Sequence, residues 1–71
     1  MNYKQLTKRL RELGCEFDRQ SAGSHEVWWN PSTQKLAIIP RHGGGDIPMG
    51  TLRAIVRQLG ILPDDFYKRQ G

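Results

Sequence analysis

A single cysteine, Cys15, stands among the 71 residues. That excludes an internal disulfide and a zinc site built from several thiolates. Two histidines, His25 and His42, have no cluster of acids beside them, which makes a poor metal site. No apolar run approaches the ~20 residues that a membrane-spanning helix needs. The first residues lack the apolar core of a secretory signal. Two catalytic signatures are missing as well. There is no Gly-x-Ser-x-Gly elbow, and Gly43-Gly44-Gly45 is not followed by the Lys-Ser/Thr of a phosphate loop. These absences lead to the expectation of a reduced, cytoplasmic setting, with no metal, no cofactor and no membrane. At 8.2 kDa the chain has room for one domain over residues 1–71, with a thin core.

Acidic residues are also scarce. Eleven Lys and Arg face seven Asp and Glu, a net charge of +4. The excess is uneven. Lys4, Lys8, Arg9 and Arg11 against Glu12 make residues 1–13 +3, whereas residues 14–30 sum to −2. Residues 31–60, with Lys35, Arg41, Arg53 and Arg57 against Asp46, return to +3. Nucleic acid is the commonest partner of a small basic domain, and solubility is the bland alternative.

The pattern along the chain is α-β-β-β-α. Tyr3, Leu6, Leu10 and Leu13 form a helical stripe that Asn2 can cap and Gly14 can end. Lys4, Lys8 and Arg11 fall on another face of the same helix. Residues 15–22 read as a strand with Phe17 as its inward anchor. Ala22-Gly23-Ser24 is a tight connection, and His25 to Trp29 reads as a second strand. Asn30-Pro31-Ser32 signals a turn, and Lys35 to Ile39 is a third strand. Residues 41–46 form a glycine loop that does not order on its own. Thr51 to Leu59 reads as a second helix, with Leu52, Ile55, Val56 and Leu59 as its buried stripe and Arg53 and Arg57 on its flank. Pro63-Asp64-Asp65 can start a short last helical turn. The fold class expected is α+β, a three-stranded antiparallel sheet with both helices on one face.

The sharpest local feature is Gly23-Ser24-His25. A glycine turn that delivers a histidine to a strand start leaves the imidazole at an edge, where it can exchange protons near neutral pH. RNA carries its own nucleophile, the 2′-hydroxyl. An imidazole base and nearby cations suffice to cleave it without a metal. The plainer reading of His25 is structural. His42 reads as an acid, a phosphate contact or an exposed loop residue. Trp28 and Trp29 are adjacent, so only one of them faces the core of a regular strand. Simple alternation groups His25 with Val27 and Trp29, which places it inward if those two are core.

Taken together, Gln20-Ser21-Ala22-Gly23-Ser24-His25-Glu26-Val27-Trp28, Ile39-Pro40-Arg41-His42 and the run from Ile47 to Ile61 resemble HicA-type mRNA interferase toxins. Leu6 to Gly14 fits as well, so the resemblance covers roughly residues 3–61. It implies a double-stranded-RNA-binding-like fold and a ribonuclease toxin of a bacterial toxin–antitoxin pair, restrained by a HicB-type antitoxin. The catalytic histidine of its Gly-Ser-His motif falls on His25. Lys4, Lys8, Arg11, Ser24, Arg41, Arg53 and Arg57 are the candidate RNA contacts. His25, Trp29 and Arg41 are the candidate antitoxin contacts, with the last ten residues as a possible addition. The competing readings are a non-catalytic RNA-binding module of the same fold and a protein-interaction domain whose charge is incidental.

Overall fold

The computed structural model describes residues 1–41 and 45–67; His42, Gly43 and Gly44, and residues 68–71, lie outside the described residues. The elements run α1 (Tyr3–Glu12), β1 (Glu16–Gln20), β2 (His25–Asn30), β3 (Lys35–Pro40), α2 (Met49–Gln58) and α3 (Pro63–Tyr67). The strands form one antiparallel meander in the order β1-β2-β3. This is the expected α+β arrangement.

Local chemistry explains the helix ends. Asn2 accepts from the Gln5 amide at 2.8 Å, and Gln5 Oε1 accepts from the Asn2 amide at 3.0 Å, a reciprocal capping box. α2 begins at Met49, two residues before the expected Thr51, with Pro48 as its N-cap at φ −56° and ψ 143° and no side-chain capping bond. The carbonyl of Leu59, just past α2, accepts from Asn30 Nδ2 and Thr33 Oγ1, both at 2.8 Å. The β2–β3 turn therefore caps α2. Gly60 follows at φ +71° and passes close to Thr33.

One cluster makes the core. Leu6 and Leu10 of α1, Trp28 of β2, Ala37 and Ile39 of β3, and Leu52, Ile55 and Val56 of α2 all belong to it. Both helices therefore cover the sheet face that carries Trp28, Ala37 and Ile39. The other face carries Val27, Trp29, Leu36 and Ile38, of which Leu36 and Ile38 are exposed. Phe66 of α3 completes the core, and Arg9 fastens α3 to α1 by donating to the carbonyls of Phe66 at 2.8 Å and Asp65 at 2.6 Å.

One expectation needs correction. Phe17 is 47% exposed and is not an inward anchor. It pairs with Trp28 and meets that ring edge-on, but β1 is an edge strand, its register is interrupted between Phe17 and Arg19, and no residue of it joins the core. Cys15, just before β1, takes the inward position. The phase of β2 is also settled: Trp28 is fully buried and Trp29 half-buried, so His25 shares the open face with Val27 and Trp29 rather than the core.

Candidate active site

The turn from β1 to β2 is built around Gly23, whose φ of +65° lies in the left-handed region. Ser21 donates its amide to the His25 carbonyl at 2.9 Å. Gln20 Nε2 donates to the same carbonyl at 3.0 Å and to that of Gly23 at 3.3 Å. These bonds hold the backbone of His25 while its side chain stays exposed. Nδ1 of the ring lies 3.2 Å from the Ala22 carbonyl. A carbonyl can only accept, so Nδ1 is the protonated nitrogen of this bond. In the neutral ring Nε2 is then an acceptor.

Register brings Arg41 to the same end of the sheet. His25 pairs with Pro40, and Arg41 donates its amide to the Ser24 carbonyl at 2.9 Å. Alternation along β2 puts His25 toward the open face, while Ser24 and Arg41 lie just beyond the strand ends, in the turn before β2 and after β3. The guanidinium carbon of Arg41 lies 5.5 Å from the centre of the Tyr3 ring, a cation–π contact.

Tyr3 leads to a buried acid. Glu26 is 4% exposed, and its Oε1 accepts from the Tyr3 hydroxyl at 2.5 Å and from Trp28 Nε1 at 2.9 Å. Burial, this hydrogen bond and the Glu26 charge push the Tyr3 hydroxyl up to about 12, against the opposing pull of Arg41 and Arg11. Arg11 in turn sits over the Trp28 ring, 5.1 Å from its centre. Arg11 and Arg41 thus flank a Tyr3–Glu26–Trp28 network. Sequence reasoning took Tyr3 as part of the apolar helical stripe and counted Glu26 only in the −2 charge of residues 14–30. The available signal was that Glu26 alternates with Trp28, so one face holds both.

The expected cations separate into groups. Lys4, Lys8 and Arg11 are exposed on α1, whose N-terminal turn carries Tyr3. Ser24, His25 and Arg41 gather at the β1–β2 turn and the end of β3. Arg53 and Arg57 lie instead along a groove between α2 and α3 that none of the other candidates lines. Trp29 sits on the open sheet face. His42 lies outside the described residues. Among the described residues, no three His, Cys, Asp or Glu side chains gather as metal ligands, and no helix is long and apolar enough to cross a membrane.

The family model for the HicA toxin of bacterial toxin–antitoxin systems matches residues 3–61. The chain belongs to the HicA toxin family. The matched span runs from Tyr3 to Ile61 and so contains the network, the Gly-Ser-His turn, Arg41 and α2. Membership in the HicA family makes the chain the toxin of a toxin–antitoxin pair and implies an antitoxin partner. No curated protein and no solved structure matches the chain.

Proposed function

We propose that this HicA-family chain is a metal-independent endoribonuclease that cleaves mRNA in the cytoplasm with His25 and is held inactive by a HicB-type antitoxin. The observation that carries this reading is the exposed His25, whose ring is anchored through Nδ1 at the Ala22 carbonyl and whose Nε2 makes no bond to any described residue.

The chemistry runs within the RNA. Nε2 takes the proton of a 2′-hydroxyl. The 2′-oxygen bonds to the adjacent phosphorus, and the bond from phosphorus to the 5′-oxygen breaks. That oxygen leaves by taking a proton from water, and a 2′,3′-cyclic phosphate remains. Negative charge grows on the phosphoryl oxygens, and Arg41, beside the turn, neutralises it. Lys4, Lys8 and Arg11 extend the positive surface along α1 for the RNA backbone, and the Ser24 hydroxyl adds a polar contact next to the base. Arg53 and Arg57 add to the long-range attraction from α2. The α-β-β-β-α order with both helices on one sheet face fits a double-stranded-RNA-binding-like fold.

An antitoxin that covers His25 and Arg41 blocks both the base and the charge stabiliser. Trp29, with the exposed Leu36 and Ile38 beside it on the open face, offers apolar area for that contact.

The test is incubation of the full chain with end-labelled single-stranded RNA in EDTA, beside His25→Ala. Wild type yields fragments ending in cyclic phosphate. His25→Ala binds the RNA and leaves it intact. Equal cleavage by both overturns the role of His25. Binding without cleavage by wild type favours the non-catalytic RNA-binding module.

A further inference from the structure

Between α2 and α3 lies a groove of about 370 Å³, lined by Val56, Ile61, Leu62 and Tyr67 together with Arg53 and Arg57. Leu62 is 66% exposed and Tyr67 46% exposed, side by side on one groove. The side chains of Arg53 and Arg57 make no hydrogen bond or ion pair with any described residue, although Asp64 and Asp65 sit in the first turn of α3. The surface therefore combines two exposed apolar side chains, Leu62 and Tyr67, with two cations unpaired among the described residues.

We infer that this groove is the docking site for an acidic, amphipathic segment of the antitoxin. The inference rests on the toxin–antitoxin pairing and goes beyond the contact that covers His25, since none of His25, Trp29 or Arg41 lines the groove. Charge selects the occupant. Residues 68–71, which follow Tyr67, carry Lys68 and Arg69 and would repel the two arginines. An RNA strand would satisfy the guanidiniums but gain little from Val56, Ile61 and Leu62, because single strands bind through stacking platforms and only Tyr67 offers a ring. A protein segment with a leucine-like or aromatic anchor and flanking carboxylates satisfies both halves. Arg53 and Arg57 are one helical turn apart, roughly 5–6 Å between their Cβ atoms. Two carboxylates at i and i+4 of a helix, or at i and i+2 of a strand, match that separation. Such a segment would also take from the toxin two cations that otherwise attract RNA.

The experiment measures, by calorimetric titration, the affinity of the full chain for its cognate antitoxin. Two variants are compared with wild type: Arg53→Glu/Arg57→Glu, and Leu62→Ser at an exposed position where folding is not at stake. Circular dichroism checks each fold. Each variant binds the antitoxin at least tenfold more weakly. The loss in the arginine pair shrinks as salt rises, whereas the loss in Leu62→Ser does not, and Leu62→Ser handles RNA as wild type does. Unchanged antitoxin affinity in both variants overturns the assignment. Loss of RNA binding in Leu62→Ser with antitoxin affinity intact gives the groove to RNA and also overturns it. Failure of wild type itself to bind the antitoxin overturns the pairing on which the inference rests, and shows before any variant is made.

Discussion

The Tyr3 hydroxyl donates to Glu26 Oε1 at 2.5 Å, tying the first turn of α1 to the second residue of β2. The bond does two jobs. It supplies a donor to a buried acid, and it holds the ring on which Arg41 rests. A core contact of the fold is thereby joined to the residue placed beside His25.

Tyr3→Phe keeps the ring and removes the hydroxyl. Glu26 is left with one donor fewer in a buried position, which costs about 1.5–3 kcal/mol for a bond to a charged group. In urea denaturation the midpoint falls while the slope stays constant. An unchanged midpoint would show that water replaces the hydroxyl.

The same bond sets a pH dependence. The Tyr3 hydroxyl is raised from 10.0 to about 12, first by burial and then by Glu26. A folded value above the unfolded one means that the contribution is whole below about pH 10 and is lost as pH rises toward 12. The absorbance at 295 nm of wild type minus Tyr3→Phe isolates one tyrosinate, and its midpoint lies near 12. The melting temperature of wild type falls faster across that window than that of Tyr3→Phe.

Two glycines respond differently to alanine. Gly23→Ala meets no neighbour and suffers only its left-handed φ, about 1 kcal/mol. Gly60→Ala adds a Cβ 2.9 Å from Thr33 Cγ2 and 3.1 Å from Thr33 Cβ, so the α2 cap must shift as well. Its cost is about 2–3 kcal/mol, which lowers the melting temperature by roughly 10 °C or more in a domain of this size. Calorimetry on the two variants checks the order.

Arg41→Ala removes one cation beside the turn without touching the core. RNA affinity falls, and the slope of log affinity against log salt becomes shallower by about 1. Cleavage at saturating RNA falls as well, because the charge growing on the phosphoryl oxygens loses its partner. A fall in affinity alone would make Arg41 a binding residue only.

The 3.2 Å approach of His25 Nδ1 to the Ala22 carbonyl calls for the proton on Nδ1 in the neutral ring. Long-range ¹⁵N–¹H correlation spectra show Nδ1 as the protonated nitrogen and Nε2 as the unprotonated one. The reverse assignment would remove the orientation on which the proposed proton transfer depends.

Much of the fold was legible from residue order. The stripe of Tyr3, Leu6, Leu10 and Leu13 and the Asn2 cap are local, set by helical period and one side chain, and α1 follows them closely. The stripe Leu52, Ile55, Val56 and Leu59 is buried throughout. The strands and their meander follow from short β-rich runs between turn residues. Phe17 was misread because an aromatic in a strand does not show whether a helix covers it: α2 packs on β3, the other edge strand, and buries Ala37 and Ile39, whereas no residue of β1 joins the core. The cationic residues were legible as a set, yet not their division between the His25 turn and the α2/α3 groove, since that depends on which helix lies over which strand.

What the sequence determined alone is the element order, the helix faces, the turn that presents His25 and the positive charge, because each depends on neighbours within a few residues. Tertiary structure decided the phase of β2. Val27 and Trp29 on one face and Trp28 on the other are equally apolar readings. The choice went to Trp28 because its companions on that face, Glu26 and Asn30, find partners there: the Tyr3 hydroxyl for one and the Leu59 carbonyl for the other. Buried polar groups must be paired, and the pairs come from residues 23 and 29 positions away, beyond the reach of any local pattern.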